Sequence, residues 1–94
     1  MFKKKISNWN DSEYSRRVSI SIINERTNQN EKWGIQSHTI PEWLMIMGEE
    51  FGEAFKAGNE SYFRNQNIRI LKNELIQTCA VGLAIIEAIE NEGW

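Results

Sequence analysis

The sequence predicts an all-α fold, a small helical bundle that is completed by self-association. Apolar residues recur at helical spacing in three long segments. A single proline and no low-complexity tract interrupt these segments, and the chain contains no internal repeat. The third segment is apolar on most of its sides, and such a helix must be covered on most sides. Two other helices from a 94-residue chain cannot easily do that, so we expect a homodimer or a higher homo-oligomer.

The composition is that of one small domain over residues 1–94, with a polar and basic lead-in at residues 1–11. A chain of this length buries only about 60–65% of its unfolded surface, so a second copy would help to close the core. A hydrophobic content of 40% argues against disorder. The net charge of −2 predicts no general attraction to nucleic acid.

The single cysteine and the lack of a long apolar segment indicate the compartment. Cys79 cannot form an internal disulfide, which favours a reducing environment. Because it lies in an apolar run, we expect it to be a buried small residue. No segment approaches the ~20 apolar residues of a membrane span, and no apolar segment follows the N-terminal lysines. We therefore expect a cytoplasmic protein with no membrane partner.

The first helix is expected over residues 12–29. Asp11 is a good N-cap, and the apolar side chains that follow form a helical stripe. The β-branched run 18–23 also alternates with serines, so a strand is the competing interpretation. Helix is favoured because the segment is long and contains no turn signal. Residues 28–40 are rich in Asn, Gln, Ser and Gly and are predicted to form a loop.

The second helix is expected to begin at Pro41, because proline suits the first turn, with Thr39 or Ile40 as the cap. It is expected to end near the Gly-Asn pair at 58–59, and residues 62–67 form a connector. The apolar residues expected on one face are Leu44, Met47, Phe51, Ala54, Phe55 and Gly58.

Acidic residues at helical spacing are the best candidates for chemistry. Glu50 and Glu53 are three residues apart and point from the same face, beside Glu49. On the third helix, expected from about residue 68 to about residue 91, Glu74 and Gln77 repeat this spacing. If the two helices pack antiparallel, the pairs can face each other. Converging carboxylates suit a hard cation such as Mg²⁺, which keeps places for water and phosphate.

The competing interpretation of these acids is an ordinary solvated helix face, where such pairs are common and cost little. Their neighbours favour the metal site. Glu50 lies one turn from Met47 and Ala54, and Glu74 lies beside Ile70. Acids that face a core are costly unless they are paired or bound to a metal.

The run Glu49-Glu50-Phe51-Gly52-Glu53, with Glu74-Leu75-Ile76-Gln77 about twenty residues later, resembles a family motif. It is similar to the paired EExxE and ExxD motif of the MazG-like all-α nucleoside triphosphate pyrophosphohydrolases. The likeness covers roughly residues 18–90, and segments 24–34 and 41–44 resemble a compact subgroup. It implies an oligomeric bundle of the all-α NTP pyrophosphohydrolase type. Such a protein binds Mg²⁺ or Mn²⁺ and cleaves a (d)NTP or related nucleotide to monophosphate and pyrophosphate.

The resemblance also implies roles for individual residues. Glu50, Glu53 and Glu74 match metal-ligand positions, and Glu49 matches the first acid of the motif. The candidate catalytic residues are thereby Glu49, Glu50 and Glu53. Gln77 stands where the family has aspartate. Its amide offers one oxygen to a metal, but it carries no charge and cannot act as a base, so weaker metal binding is expected.

Further residues are candidates for contacts with the nucleotide. Trp33 can stack on a base, and Lys32 or Lys56 can meet phosphate. His38, the only histidine, can donate a hydrogen bond to a ligand. The competing interpretation of each is an ordinary surface group, and Trp43 is expected to be a core or interface anchor.

Three functions follow from these observations. The first is Mg²⁺-dependent nucleotide pyrophosphohydrolysis, carried by the acidic pairs and the resemblance. The second is capture of a nucleotide or nucleotide signal without cleavage, which Gln77 favours. The third is a helical interaction module, which the apolar third helix favours.

Overall fold

The computed structural model describes residues 5–6 and 12–93, which form three α-helices. Helix α1 spans Ser12–Trp33, α2 spans Ile40–Arg64 and α3 spans Ile68–Glu92. The all-α prediction is confirmed. The expected N-cap Asp11 and most of the basic lead-in lie outside the described residues. No helix in the described ranges combines the length and the apolar character that a membrane span requires.

Helix α1 confirms the helix favoured for the first segment over the competing strand. The run 18–23 is helical, and its serine hydroxyls bond within the helix: Ser19 Oγ donates to the Ser15 carbonyl, and Ser21 Oγ donates to the Arg17 carbonyl. The prediction of a loop from residue 28 was wrong, since the helix continues to Trp33. The Asn- and Gln-rich composition does not itself break a helix. Gly34 ends it, with a φ of 75° that glycine adopts readily.

Helix α2 begins as predicted but ends later. Thr39 is the N-cap and forms a capping box with Glu42, and proline occupies the first turn. The predicted stop at residues 58–59 was wrong, because the helix continues to Arg64, and the connector is only residues 65–67. Asn65 takes the left-handed conformation that ends α2, with a φ of 55°.

Helices α2 and α3 pack antiparallel, which is the arrangement in which the acidic pairs of the two helices can face each other. A β-carbon on Gly58 would lie 3.6 Å from Leu71, and one on Gly82 would lie 3.3 Å from Met47. A β-carbon on Gly82 would crowd the end of the Met47 side chain, whereas one on Gly58 would make an ordinary van der Waals contact with Leu71. Gly58 thus lies inside α2, facing α3, and does not end the helix. Helix α3 lies in the middle of the fold. Both α1 and α2 pack against it, and the described parts of α1 and α2 do not pack on each other.

The core between these helices is small. Within residues 5–6 and 12–93, the buried hydrophobic residues are one tryptophan, one valine and four alanines, namely Trp43, Ala54, Ala57, Ala80, Val81 and Ala84. The expected core role of Trp43 is confirmed. The apolar residues predicted to share one face of α2 lie within about 100° of one another, but that face is only partly buried, because Leu44, Phe51 and Phe55 are exposed. These three form an apolar stripe that no described helix covers.

Cys79 also departs from its prediction. It was expected to be buried, and it is exposed on α3. The apolar run around it does bury Ala80 and Val81. Successive residues of a helix point about 100° apart, so an apolar run cannot turn all of its members inward.

Candidate functional site

Three carboxylates from α2 and α3 meet at one place. Glu50 and Glu53 come from adjacent turns of α2, and Glu74 comes from the facing part of α3. One oxygen from each residue lies within 4.8 Å of the other two. The antiparallel packing of the helices, with close contacts at Gly58 and Gly82, brings these side chains to the same depth.

The cluster contains oxygens without partners. Glu50 and Glu74 are half-buried, and the Oε2 atom of each is buried with no hydrogen-bond partner. No lysine or arginine in the described ranges forms an ion pair with Glu50, Glu53 or Glu74. An unpaired acid in this environment is costly, so the folded protein favours either a proton or a cation there.

The pKa values of two carboxyls reflect this environment. Burial raises the pKa of the Glu50 carboxyl above its usual range, and nearby carboxylates raise it further. Those carboxylates belong to Glu53, Glu74, Glu25 and Glu49. Burial likewise raises the pKa of Glu74, with a further contribution from the charge of Glu53. A positive ion at the cluster would reverse these shifts, because it favours the charged forms.

The donor set fits a divalent cation with a preference for oxygen. Three converging carboxylates and two unpartnered oxygens match the ligands of Mg²⁺ or Mn²⁺. Gln77 lies one turn beyond Glu74 on α3 and is half-buried. Its backbone carbonyl accepts a hydrogen bond of 3.4 Å from Nε2 of Gln29 on α1. The structure thus brings α1 to the same part of α3 as the cluster.

A cavity of about 810 Å³ adjoins the cluster in the space between α1 and α2. All three helices and the loop 34–39 line it, and Glu50 and Glu49 form part of its wall. Its size falls in the range typical of small-molecule sites. Because α1 and α2 are both held by α3 and not by each other, the gap between them stays open.

Two of the predicted ligand-binding residues line this cavity. Trp33 is 50% exposed and His38 is partly buried. A ring nitrogen of His38 is 2.8 Å from the Gln36 side-chain oxygen. The His38 ring also packs edge-on against Trp43, with centroids 4.8 Å apart. Trp43 thus contributes to both the core and the cavity wall.

The two predicted phosphate-binding lysines do not line the cavity. Lys56 lies on a separate shallow cleft with Gly52 and Phe63. Lys32 places its ammonium 5.1 Å from the centre of the Trp33 ring, an arrangement that favours a cation–π contact. Neither lysine is joined to the carboxylate cluster.

The cavity also contains residues that the sequence did not indicate. Arg26, Gln29 and Asn30 line it from α1, and Glu87 and Asn91 line it from α3. Arg26 Nε donates to Glu87 Oε1 at 2.8 Å and joins α1 to α3. The three α1 residues share one helix face by their spacing. Arg26 and Gln29 lay within the helix predicted over residues 12–29, and only Asn30 lay beyond it.

Negative charge predominates in the cavity wall. Its carboxylates belong to Glu49, Glu50, Glu87 and Glu92, and Arg26 is its one fixed cation among the described residues. A polyphosphate would be repelled unless it arrived with a metal ion.

Comparison of the chain with protein-family models, curated proteins and solved structures found no match.

Proposed function

We propose that the protein binds a nucleoside triphosphate or related nucleotide as its Mg²⁺ complex and hydrolyses it to monophosphate and pyrophosphate. The observation that supports this most is the carboxylate cluster with its two unpartnered oxygens, one member of which, Glu50, lines a ligand-sized cavity. The resemblance to the MazG-like enzymes is a second, weaker support. Glu50, Glu53 and Glu74 hold the cation in this proposal, and Trp33 stacks on the base.

The chemistry that a bound Mg²⁺ supplies is neutralisation of phosphate charge and activation of water. Glu49 is exposed and lines the cavity beside Glu50, so its carboxylate can accept the proton of the attacking water. The water oxygen bonds to the α-phosphorus as the bond from that phosphorus to the bridging oxygen breaks. Pyrophosphate leaves with the electron pair.

Gln77 supports a second candidate function, which is nucleotide capture without cleavage. A neutral amide in place of an acid lowers the charge available to the cation. The two functions require the same cavity and the same metal. They differ only in whether monophosphate and pyrophosphate are formed.

The proposal predicts that Mg²⁺ and a nucleotide together raise the melting temperature. A ligand at 100 times its dissociation constant stabilises the folded state by ~2.7 kcal/mol. The nucleotide alone should give little shift, because the cavity wall is acidic. The experiment is a thermal-shift screen of a nucleotide panel with Mg²⁺, with Mn²⁺ and with EDTA, followed by chromatography of the products.

Cleavage products would support hydrolysis, and a metal-dependent shift with intact nucleotide would support capture. No shift with any nucleotide would reject both and favour the interaction module.

The proposal includes a second copy of the chain, seated on the uncovered apolar stripe. Leu44, Phe51 and Phe55 lie within roughly 40° of one another around α2. Leu75 and Ile86 form the matching exposed stripe on α3. Both stripes adjoin the contact between Met47 and Gly82, since Leu44 and Phe51 lie one turn from Met47 and Ile86 lies one turn from Gly82. A core of mostly alanines gives little stability, so burying these larger side chains is the main gain available.

Phe51→Glu is expected to convert the dimer to a monomer. Phe51 is 58% exposed at the centre of the α2 stripe, and a charge there would be buried in the interface. Met45→Glu is the matched control, because Met45 is 68% exposed on the same helix but points about 100° from Leu44. Sedimentation velocity over a range of concentrations measures both. A monomeric wild-type protein, or equal effects of the two variants, would contradict this prediction.

A further inference from the structure

We propose that two copies of the chain pack with their α3 helices antiparallel, so that Lys72 of each copy pairs with Glu90 of the partner subunit. This inference rests on the dimer in the proposed function and deepens it. The exposed apolar side chains indicate that a second copy covers this surface, but they do not fix its orientation. The charges at the two ends of α3 do.

The uncovered face of α3 carries opposite charges at its two ends. Lys72 and Glu90 are both exposed, and they are 18 residues apart. That spacing is about five turns of helix, so the two side chains point in the same direction. Between them lie Leu75, Cys79 and Ile86, which are exposed and within roughly 60° of Lys72 around the helix. This α3 face therefore has a lysine at one end, apolar side chains in the middle and a glutamate at the other end.

Such a face is complementary to itself when two copies meet antiparallel. In a two-fold interface each contact is made twice, because the same surface is used by both subunits. The register that sets Lys72 opposite the partner's Glu90 also sets Leu75 within one residue of the partner's Ile86. Apolar side chains then meet apolar side chains, and an ion pair closes each end. A parallel arrangement would set lysine against lysine and glutamate against glutamate, and like charges at such short range repel.

Neither charge is compensated within one copy. Among residues 5–6 and 12–93, no ion pair includes Lys72 or Glu90. The last turn of α3 contains no basic residue, so Glu90 and Glu92 meet the negative end of the helix dipole without a cation beside them. Lys72 lies near the opposite, positive end, in the first five residues of α3. An antiparallel partner brings the missing charge to both ends, which identifies a second copy of this chain as the occupant of the face.

Reversing either charge should weaken the dimer. Lys72→Glu and Glu90→Lys each set like charges against one another at both ends of the interface. Each variant should raise the dimer dissociation constant by roughly 3–30-fold at low salt, because two exposed ion pairs are lost. High salt should reduce this difference, since it screens exposed charges. Both variants should stay folded, because each gives α3 a charge that its dipole favours. Sedimentation velocity over a range of concentrations measures the dissociation constants.

Restoring the pairs should restore the dimer. The double variant with Lys72→Glu and Glu90→Lys exchanges the signs of each pair and should dimerise as tightly as the wild type. An equimolar mixture of the two single variants should also associate, since the pairs form between copies. Glu92→Lys is the matched control, because Glu92 is exposed in the same turn but points about 160° from Glu90. It should leave the dissociation constant unchanged.

Two results would overturn the antiparallel pairing. One is an unchanged dissociation constant in both single variants, and the other is a double variant as weak as the single ones. Phe51→Glu separates these results from failure of the dimer itself. If Phe51→Glu gives a monomer while the charge reversals have no effect, the dimer stands and its antiparallel orientation is wrong. A monomeric wild-type protein would reject the dimer and this inference together, whereas nucleotide binding is decided separately by the thermal-shift screen.

Discussion

A Glu50→Gln variant is expected to lose Mg²⁺-dependent cleavage of the nucleotide, by at least about 100-fold in kcat. The Mg²⁺-dependent thermal shift should disappear with it. Glu50 offers the cluster a buried, unpartnered oxygen, and an amide in its place removes one charge from the proposed cation site. The metal-free variant should melt at a higher temperature than the wild type, because the new amide no longer repels Glu53 and Glu74. Loss of function together with gained stability is the signature of a site residue.

The same cluster determines how stability depends on pH. In the unfolded chain Glu50 and Glu74 titrate near 4.5, and folding raises both pKa values. The folded protein therefore binds more protons than the unfolded chain between 4.5 and the raised values. Its free energy of unfolding falls as the pH rises through that window. Mg²⁺ should oppose this fall, and Glu50→Gln should reduce it. Melting curves against pH, in EDTA and in Mg²⁺, measure both effects.

Glu60→Gln is the control for Glu50→Gln. Glu60 lies on the same helix but on the separate cleft near Phe63, outside the carboxylate cluster. The Glu60→Gln variant should retain nucleotide cleavage and the Mg²⁺-dependent rise in melting temperature. A Glu50→Gln variant that still responded to Mg²⁺ like the wild type would exclude the cluster as the metal site.

Features that depend on local chemistry were predictable from the sequence. Thr39, Pro41 and Glu42 form a start signal for α2, and the structure has the helix there. The convergence of Glu50, Glu53 and Glu74 followed from three-residue spacing and an antiparallel hairpin. The start signal depends on residues within one turn of each other, where local geometry decides the outcome. The convergence also needed the antiparallel pairing of two helices joined by a short connector.

Features that depend on packing were not predictable in the same way. Gly58 suggested a stop, yet it lies inside α2 and faces Leu71 of α3. Helix α2 has two apolar stripes, and periodicity cannot decide which one meets α3. Only the position of α1 on α3, away from α2, explains why the Phe51 stripe is exposed. The cavity was not predicted either, because it also depends on where α1 packs on α3. In addition, the helix predicted for this segment stopped at residue 29, whereas α1 continues to Trp33 and places Asn30 at the cavity.

The largest effect on stability is expected from Trp43→Ala. Trp43 is 8% exposed, and the other buried hydrophobic residues in the described ranges are one valine and four alanines. Truncating a buried tryptophan costs about 3–5 kcal/mol, and a domain has only about 5–15 kcal/mol in total. The melting temperature should therefore fall by more than about 10 °C, since each kcal/mol shifts it by roughly 4–8 °C. Thermal denaturation without ligand gives this value.

Trp33→Ala is the matched comparison, because it removes the same side chain from a half-exposed position on the same cavity. Its stability should stay within about 1 kcal/mol of the wild type. Its affinity for the nucleotide should fall by roughly 5–150-fold, since stacking on an aromatic ring is worth about 1–3 kcal/mol per base. If Trp43→Ala unfolds, Trp43→Phe replaces it in the nucleotide-binding measurement, because phenylalanine keeps an aromatic anchor in the core. Equal losses of stability in the two alanine variants would place both tryptophans in the core. Unchanged affinity in Trp33→Ala would mean that the base does not stack there, and the proposed site would then keep its metal but lose its base contact.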